Sequence, residues 1–300
     1  MTTITGAAIM QTFLSFVAVF FVIYLIGYST FLFLSVTVGS SFLYRRKRET
    51  HYKNQIETDC YVPVTIIVPA YNESVTVVSS VSSLLKLEYN LYEIVVVDDG
   101  STDDTAQQVI DAFDLHEIER PVRLQVPCNA VKSIWYREVD SVPVTLVRKE
   151  NGGKADALNM GINLSQYPYF VGIDADSVLQ YDSLHEIVAP VIEHDNVVAV
   201  GGLVRLSNGV KLKDGRLTSY SLPKQTIPAM QVLEYDRSFL SARILFDQFN
   251  GNLIISGAFG LFRKDLVVAV GGYDRDTVGE DMELVTKLIF QPTPSRASAQ

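Results

Sequence analysis

The sequence predicts an α/β protein: a doubly wound, mostly parallel sheet with helices on both faces, preceded by one transmembrane helix. Three observations carry this expectation. Short β-branched runs alternate with amphipathic helical patterns along most of the chain, the signature of strand–helix–strand units. Carboxylates gather where the predicted strands end, which is where open α/β sheets bind ligands. The first 44 residues contain no Asp, Glu, Lys or Arg.

The uncharged stretch comes first in the chain. Residues 7–43 are dominated by Phe, Val, Ile and Leu, and about 20 apolar residues suffice to cross a bilayer. Residues 1–44 are therefore expected to form a single span, with the surplus length taken up by tilt or an interfacial turn. A tight hairpin near Gly27 is the other arrangement open to it. A secretory signal has a charged start and a shorter apolar part, and fits poorly. Arg45-Arg46-Lys47-Arg48 follow at once. Positive charge beside a span marks the cytoplasmic side, so the N-terminus is expected outside and the remainder in the cytosol. Residues 45–62 read as a basic juxtamembrane linker, 63–290 as a cytosolic domain and 291–300 as a disordered tail.

Composition sets further bounds. The chain has 300 residues, 48% of them hydrophobic, enough for a core of full size. A net charge of −9 argues against a nucleic-acid partner, which requires a basic face. Cys60 and Cys128 offer neither metal spacing nor a disulfide framework, and fit a reducing compartment.

The predicted elements then follow in order. Val64–Val68 is a buried strand stopped by Pro69, and Asn72 or Ser74 can cap the helix behind it, whose apolar face is Val77, Val81 and Leu84. Glu93–Val97 is the second strand. Ser101 with Asp104 resembles a capping box for a helix bearing Ala106, Val109, Ile110 and Phe113. Asp98 and Asp99 precede that cap and are not explained by it; a carboxylate there can accept hydrogen bonds from ribose hydroxyls or a base N–H. Residues 114–141 read as an inserted loop with a short strand around Val122–Val126. Val144–Val147 is the third strand, followed by Gly152-Gly153-Lys154. The glycines let backbone approach a ligand closely. A lysine at a helix start opposes the dipole unless an anion is bound; a solvated lysine is the plainer alternative.

Phe170–Ile173 is a strand that ends in Asp174-Ala175-Asp176. Two acids so placed suit a hard divalent cation, or else a solvated turn and helix cap. A helix carrying Leu184, Ile187, Val188, Val191 and Ile192 follows, then a strand at Val197–Val200. Residues 211–228 read as a loop. Val232, Tyr235, Phe239, Ala242, Phe246 and Phe249 fall on one helical face, more often core than binding surface. The small residues of Ser256–Gly260 suit a backbone lining a pocket or a tight turn. Gly279-Glu280-Asp281 opens a last helix with Leu284, Val285, Leu288 and Ile289. Neither Gly-x-Gly-x-x-Gly nor a Walker-type Gly-Lys-Ser/Thr occurs, which weakens dehydrogenase and P-loop readings.

Six motifs taken in order are specific where each alone is weak: Val68-Pro69-Ala70-Tyr71-Asn72-Glu73, Val97-Asp98-Asp99-Gly100-Ser101, Gly153-Lys154-Ala155-Asp156-Ala157-Leu158-Asn159, Asp174-Ala175-Asp176, Ser256-Gly257-Ala258-Phe259 and Gly279-Glu280-Asp281. Together they resemble the inverting glycosyltransferases of family two, with the GT-A fold. Within that family they look most like the membrane-bound synthases of the chitin, hyaluronan, cellulose and poly-N-acetylglucosamine kind. The resemblance implies that Tyr71, Glu73 and Asp99 hold the uridine of a UDP-sugar, that Lys154 contacts the diphosphate or donor sugar, and that Asp174 lies near nucleotide and sugar. It implies that Asp176 binds Mn2+ or Mg2+ and that Asp281, beside Glu280, is the general base.

The expected activity is inverting transfer from a UDP-sugar, with UDP-N-acetylglucosamine the first candidate, to a hydroxyl of a growing β-linked polysaccharide. Transfer to a polyprenyl-phosphate lipid and a non-catalytic nucleotide-binding subunit of a synthase complex are the alternatives. The partners implied are the UDP-sugar donor, a glycan or lipid-linked acceptor, membrane lipid and other synthase subunits. The Gln/Arg-x-x-Arg-Trp motif that these synthases carry after the base does not occur, since the only tryptophan is Trp135. The sequence is therefore expected to be truncated before the acceptor site, or to belong to a non-processive enzyme.

Overall fold

The computed structural model describes residues 2–53, 61–194, 196–204, 210–213, 216–237, 255, 257–277 and 279–290. The chain divides into two compact units, residues 1–58 with 230–252, and residues 59–229 with 253–300.

In the first unit, helix α1 runs unbroken over Thr2–Lys53, so no hairpin forms at Gly27. Its Met10–Phe42 stretch of 33 residues is long and apolar enough to cross a membrane. The hydroxyls of Ser15, Thr30 and Thr37 donate to the carbonyls of Gln11, Ile26 and Phe33 at 2.8–2.9 Å. Each polar group is thereby satisfied within the helix, as an apolar surround requires. The helix continues through residues 45–53, where the sequence suggests linker. Arg, Lys and Glu propagate a helix well and no Gly or Pro intervenes. Within this unit Arg237 Nη1 donates to Tyr28 Oη at 3.2 Å.

The second unit is built on an eight-stranded sheet. In chain order it comprises β1 (Val64–Ala70), α2 (Val77–Leu84), β2 (Tyr92–Asp98), α3 (Thr105–Phe113), β3 (His116–Ile118), β4 (Val131–Val139), β5 (Val142–Lys149), α4 (Lys154–Leu164), β6 (Tyr169–Ile173), α5 (Ser183–Glu193) and β7 (Ala199–Gly201). A separate hairpin of β8 (Val210–Lys213) and β9 (Arg216–Tyr220) and the helix α6 (Thr226–Arg237) come next, α6 ending in the first unit. β10 (Phe259–Arg263), α7 (Lys264–Ala269) and α8 (Glu280–Phe290) complete the chain. The sheet order is β3-β4-β5-β2-β1-β6-β10-β7.

The central strands β5, β2, β1 and β6 are parallel; β3 and β4 on one side, and β10 and β7 on the other, are antiparallel. The sheet is thus mixed, with the expected parallel core. Alternate residues of each central strand face opposite cores. Ile66, Val68, Ile94 and Val96 pack with α2, α3 and α5, while Ile67, Val95, Val97 and Phe170 pack with α4, α7 and α8. Burial on both faces explains why these strands are continuous apolar runs rather than alternating ones.

Several local expectations are corrected. The strand suggested at Val122–Val126 is absent; the element is β4, in which Ile134 is buried and Lys132, Arg137 and Glu138 are exposed. Residues 211–228 hold the β8–β9 hairpin and the start of α6 rather than a loop. Of the aromatic stripe, Val232 is buried and Tyr235 is 41% exposed; Phe239, Ala242, Phe246 and Phe249 lie outside the described residues, as do Ser256 and the tail at 291–300. The capping box does not form. Ser101 N donates instead to Asp98 Oδ1 at 3.0 Å, and Asp103 Oδ1 accepts from Thr105 N at 3.0 Å. Nor do Asn72 or Ser74 cap α2, whose N-cap is Thr76. Asn72 reaches across to the β2–α3 turn, where its Oδ1 accepts from Thr102 N at 2.8 Å.

Candidate active site

Register places the candidate residues along one edge of the sheet. Ala70 pairs with Asp98, and Asp98 with Arg148. Ile173 pairs with Phe259 at the start of antiparallel β10. The β1, β2, β5 and β6 exits and the β10 entrance therefore open together, which brings Tyr71 and Glu73, Asp98 and Asp99, Gly152–Lys154, Asp174 and Asp176, and Gly257 to one side. Parallel strands joined by right-handed crossovers place their carboxyl ends there of necessity.

Tyr71 is 50% exposed just past β1. Glu73 is half-buried; its Oε2 accepts from Thr76 Oγ1 at 2.6 Å and its backbone N–H donates to Thr105 Oγ1 at 2.8 Å. The β1 and β2 turns are thus stitched together through Asn72, Glu73 and Thr105.

Asp98 and Asp99 are both buried, at 2% and 3% exposure. Asp98 Oδ2 faces Arg148 Nε at 3.6 Å. Asp99 pairs with Lys149 and accepts from the backbone N–H groups of Gly152 at 3.1 Å and Gly153 at 2.7 Å. Asp99 is thereby turned onto the glycine loop. Gly153, at φ +86°, takes a backbone conformation that a side chain would strain.

Lys154, the first residue of α4, pairs with Asp174, and both are roughly one-third exposed. Burial pushes the Lys154 ammonium down, but Asp174, Asp281 and Glu280 together outweigh it and hold the ammonium above its ordinary range. Asp176 is exposed, two positions further along the turn. Among the described residues, no three His, Cys, Asp or Glu side chains are grouped to hold an ion. The pair Asp174 and Asp176 nevertheless has the right chemistry for Mg2+ or Mn2+, which bind one or two carboxylates and draw further oxygens from water and substrate phosphates.

Asp281 is in the first turn of α8. Its Oδ2 accepts from Gly257 N at 3.0 Å, and a Cβ at Gly257 would collide with that carboxylate. Burial and neighbouring Glu280 push the Asp281 carboxyl up; Lys154 and the Gly257 N–H pull against them without cancelling the rise. Tyr273, 3% exposed, is pushed up by burial and by the same two acids. Asn159 on α4 holds it in place, donating to Tyr273 O and accepting from Tyr273 N, both at 2.9 Å.

The sequence reading gave no role to Lys149, Asp156 or Arg275. Lys149 and Asp156 are 0% exposed. Lys149 Nζ donates to Asp156 Oδ2 at 2.6 Å, and Arg275 Nη1 donates to Asp156 Oδ1 at 3.1 Å. Burial raises the Asp156 carboxyl, but Lys149, the Asn129 N–H and Arg275 together hold it below its ordinary range. In sequence Lys149 lies two residues past the predicted strand and Asp156 stands in a helical first turn, where both pass as solvated charges.

Residues 62–289 match the family described as glycosyltransferase like family 2. A poly-beta-1,6-N-acetyl-D-glucosamine synthase of Staphylococcus aureus is 29% identical over 271 residues, covering 88% of this chain and 56% of its own length. The synthase of the same name from Staphylococcus epidermidis is 28% identical over 269 residues, with the same coverage of 88% and 56%. The chain thus spans about half the length of the curated relatives it matches. Among solved structures, the mannosyltransferase PcManGT from Pyrobaculum calidifontis, in complex with GDP-Man and Mn2+, superposes with a TM-score of 0.51. The identity is 19%, over 86% of this chain and 63% of that one, a likeness of fold.

Proposed function

Because the chain belongs to glycosyltransferase-like family 2, we propose that it transfers a sugar from a UDP-sugar to a hydroxyl of a growing β-linked glycan, inverting the anomeric centre. The observation that carries the reading is the acid–cation–acid arrangement at the sheet edge, in which Lys154 pairs with Asp174 and also feels Asp281 and Glu280. A cation between two carboxylate sites suits a reaction in which a diphosphate leaves on one side and a hydroxyl loses a proton on the other.

The roles are those the family resemblance implies, and the chemistry of each residue type suits them. The exposed ring of Tyr71 and the carboxylate of Glu73 carry the uridine, and Asp99 contributes by holding the Gly152–Gly153 turn. Lys154 donates to the diphosphate and offsets the charge that grows on the leaving UDP. Asp176, with Asp174 beside it, would hold a divalent cation, and a bound cation supplies Lewis-acid stabilisation of the diphosphate; the Mn2+ of the fold neighbour supports a cation of this class. Asp281 accepts the proton of the acceptor hydroxyl as that oxygen bonds to the anomeric carbon and the bond to UDP breaks. Gly257 N–H occupies one carboxylate oxygen, which fixes the other for the acceptor. The names of the staphylococcal relatives support N-acetylglucosamine as the sugar and a β-linked polymer as product. An acceptor phosphate is already ionised and needs no base, so the Glu280–Asp281 pair disfavours a polyprenyl-phosphate acceptor.

Asp281→Asn tests the assignment. It keeps size and hydrogen-bonding capacity but removes the base, so transfer should fall by at least about 100-fold while calorimetric UDP affinity stays within about twofold. Transfer at the native rate by this variant would refute Asp281 as the base. UDP binding with no turnover by the native chain would favour a nucleotide-binding subunit instead.

A further inference from the structure

Four charged side chains form a line from the β2 turn to the loop that enters α8. Asp99 pairs with Lys149, Lys149 with Asp156, and Asp156 with Arg275. Lys149 Nζ also donates to Glu150 O at 2.6 Å, so its donors are used within the line. Arg275 Nη1 reaches Asn129 Oδ1 at 3.3 Å as well, and Asn129 Nδ2 donates to Asn151 O at 2.9 Å. The two cations balance the two carboxylates. The inner members are fully buried, while Arg275 keeps 41% of its side chain exposed. Buried ion pairs are often no more stabilising than apolar residues of similar volume, so stability alone is a poor account of this line. Its ends are more telling. Asp99 holds the amides of Gly152 and Gly153, directly before Lys154. Arg275 stands in the loop between Tyr273 and Gly279 that presents Glu280 and Asp281.

We propose that Arg275 is a positioning residue: through Asp156 and Lys149 it ties the loop presenting Asp281 to the loop presenting Lys154, and so sets the spacing between base and donor. The inference rests on the roles given above to Asp281 and Lys154. It accounts for a buried lysine and a buried helical aspartate that the reaction itself does not use. Catalytic geometry of this kind is sensitive, since a displacement of about 1 Å can cost about 100-fold in rate.

The test uses the full chain in detergent or membranes, with Arg275→Ala and Arg275→Lys. Arg275 lies at the rim, so both variants should keep the native melting temperature within a few degrees. Hydrogen exchange is read first, because it does not depend on activity. Arg275→Ala should speed exchange at residues 274–282 and also at 151–154, with Arg275→Lys close to native. Exchange that rises at 274–282 but not at 151–154 would overturn the link. Turnover at saturating donor should fall about tenfold in Arg275→Ala, with UDP affinity within about twofold and most of the rate restored by Arg275→Lys. Unchanged turnover, or UDP affinity falling in step with turnover, would overturn the positioning role. A native chain that binds no UDP would sink the functional reading instead, and the exchange data would still decide the link.

Discussion

Asp281 is held between opposing influences, and the two charged neighbours Glu280 and Lys154 can be removed singly. Burial and Glu280 raise its carboxyl above the ordinary value of 3.8, while Lys154 and the Gly257 N–H lower it. A base works only when ionised, so turnover should rise with pH through this raised value and be lost below it. Glu280→Gln removes a raising influence, and its acid limb should move to lower pH in a kcat/KM–pH profile, which reports the free enzyme; Lys154→Met should move it upward. Limbs that stay fixed in both variants would remove these neighbours as the cause. Gly257→Ala acts differently, because the added methyl meets the Asp281 carboxylate. Turnover should fall by roughly 100-fold for a displacement of about 1 Å, with calorimetric UDP binding intact. A rate within a few-fold of native would show that the carboxylate has room to shift. At this scale the sequence marks position rather than role: Asp174 and Asp176 follow a strand and Asp281 opens a helix, as the apolar patterns beside them predict. It was not legible at Lys149, because lysine is almost never fully buried unless paired, and one partner, Asp99, is distant in sequence while the other, Asp156, stands where a helix start would leave it solvated.

Strand β4 shows what limits reading at the scale of elements. Its hairpin to β5 turns through Asp140 and Ser141, both at positive φ of 49° and 68°. That is the two-residue turn suited to antiparallel strands, but the usual Asn-Gly or Asp-Gly signal is absent. Ile134 is its one buried residue, and Lys132, Arg137 and Glu138 are exposed, so no apolar run marks it. The parallel strands were legible because both their faces are buried, and β1, β2 and β6 are each followed by a periodic helix. Ser141→Gly relieves a left-handed conformation that costs a side-chain-bearing residue about 1–2 kcal/mol, less the extra chain entropy glycine loses on folding. A net stabilisation of about 0.5–1 kcal/mol is expected in denaturant unfolding followed by tryptophan fluorescence, since Trp135 lies on β4 itself. Destabilisation would mean that the serine makes a contact that offsets its strain. Gly161 gives the opposite expectation. A Cβ there would overlap Ile67 Cγ2, so Gly161→Ala should destabilise by about 1–3 kcal/mol despite its better helix propensity.

For the molecule as a whole, α1 is the feature with the largest consequence. Its 33-residue apolar stretch is about 50 Å long at 1.5 Å per residue, well over the ~30 Å hydrocarbon core. Mismatch of this size is met by tilt or local thickening. The chain should therefore stay in the membrane pellet after alkaline carbonate extraction; release into the supernatant would reduce α1 to a peripheral helix. Orientation is a separate matter, set by the asymmetry of flanking positive charge rather than by length. Residues 2–44 carry no acid or base, and Arg45-Arg46-Lys47-Arg48 follow, so the bias comes almost wholly from one side. If this bias places the sheet-bearing unit in the cytosol, protease should cut it in inside-out vesicles and spare it in right-side-out ones. Replacing the four residues by Gln removes the asymmetry without altering the apolar stretch. That variant should still pellet, but with protease sensitivity split between the two vesicle types. An unchanged single orientation would shift the determinant to the folded unit itself, which would then have to stay on its side of synthesis irrespective of the charges at the helix end.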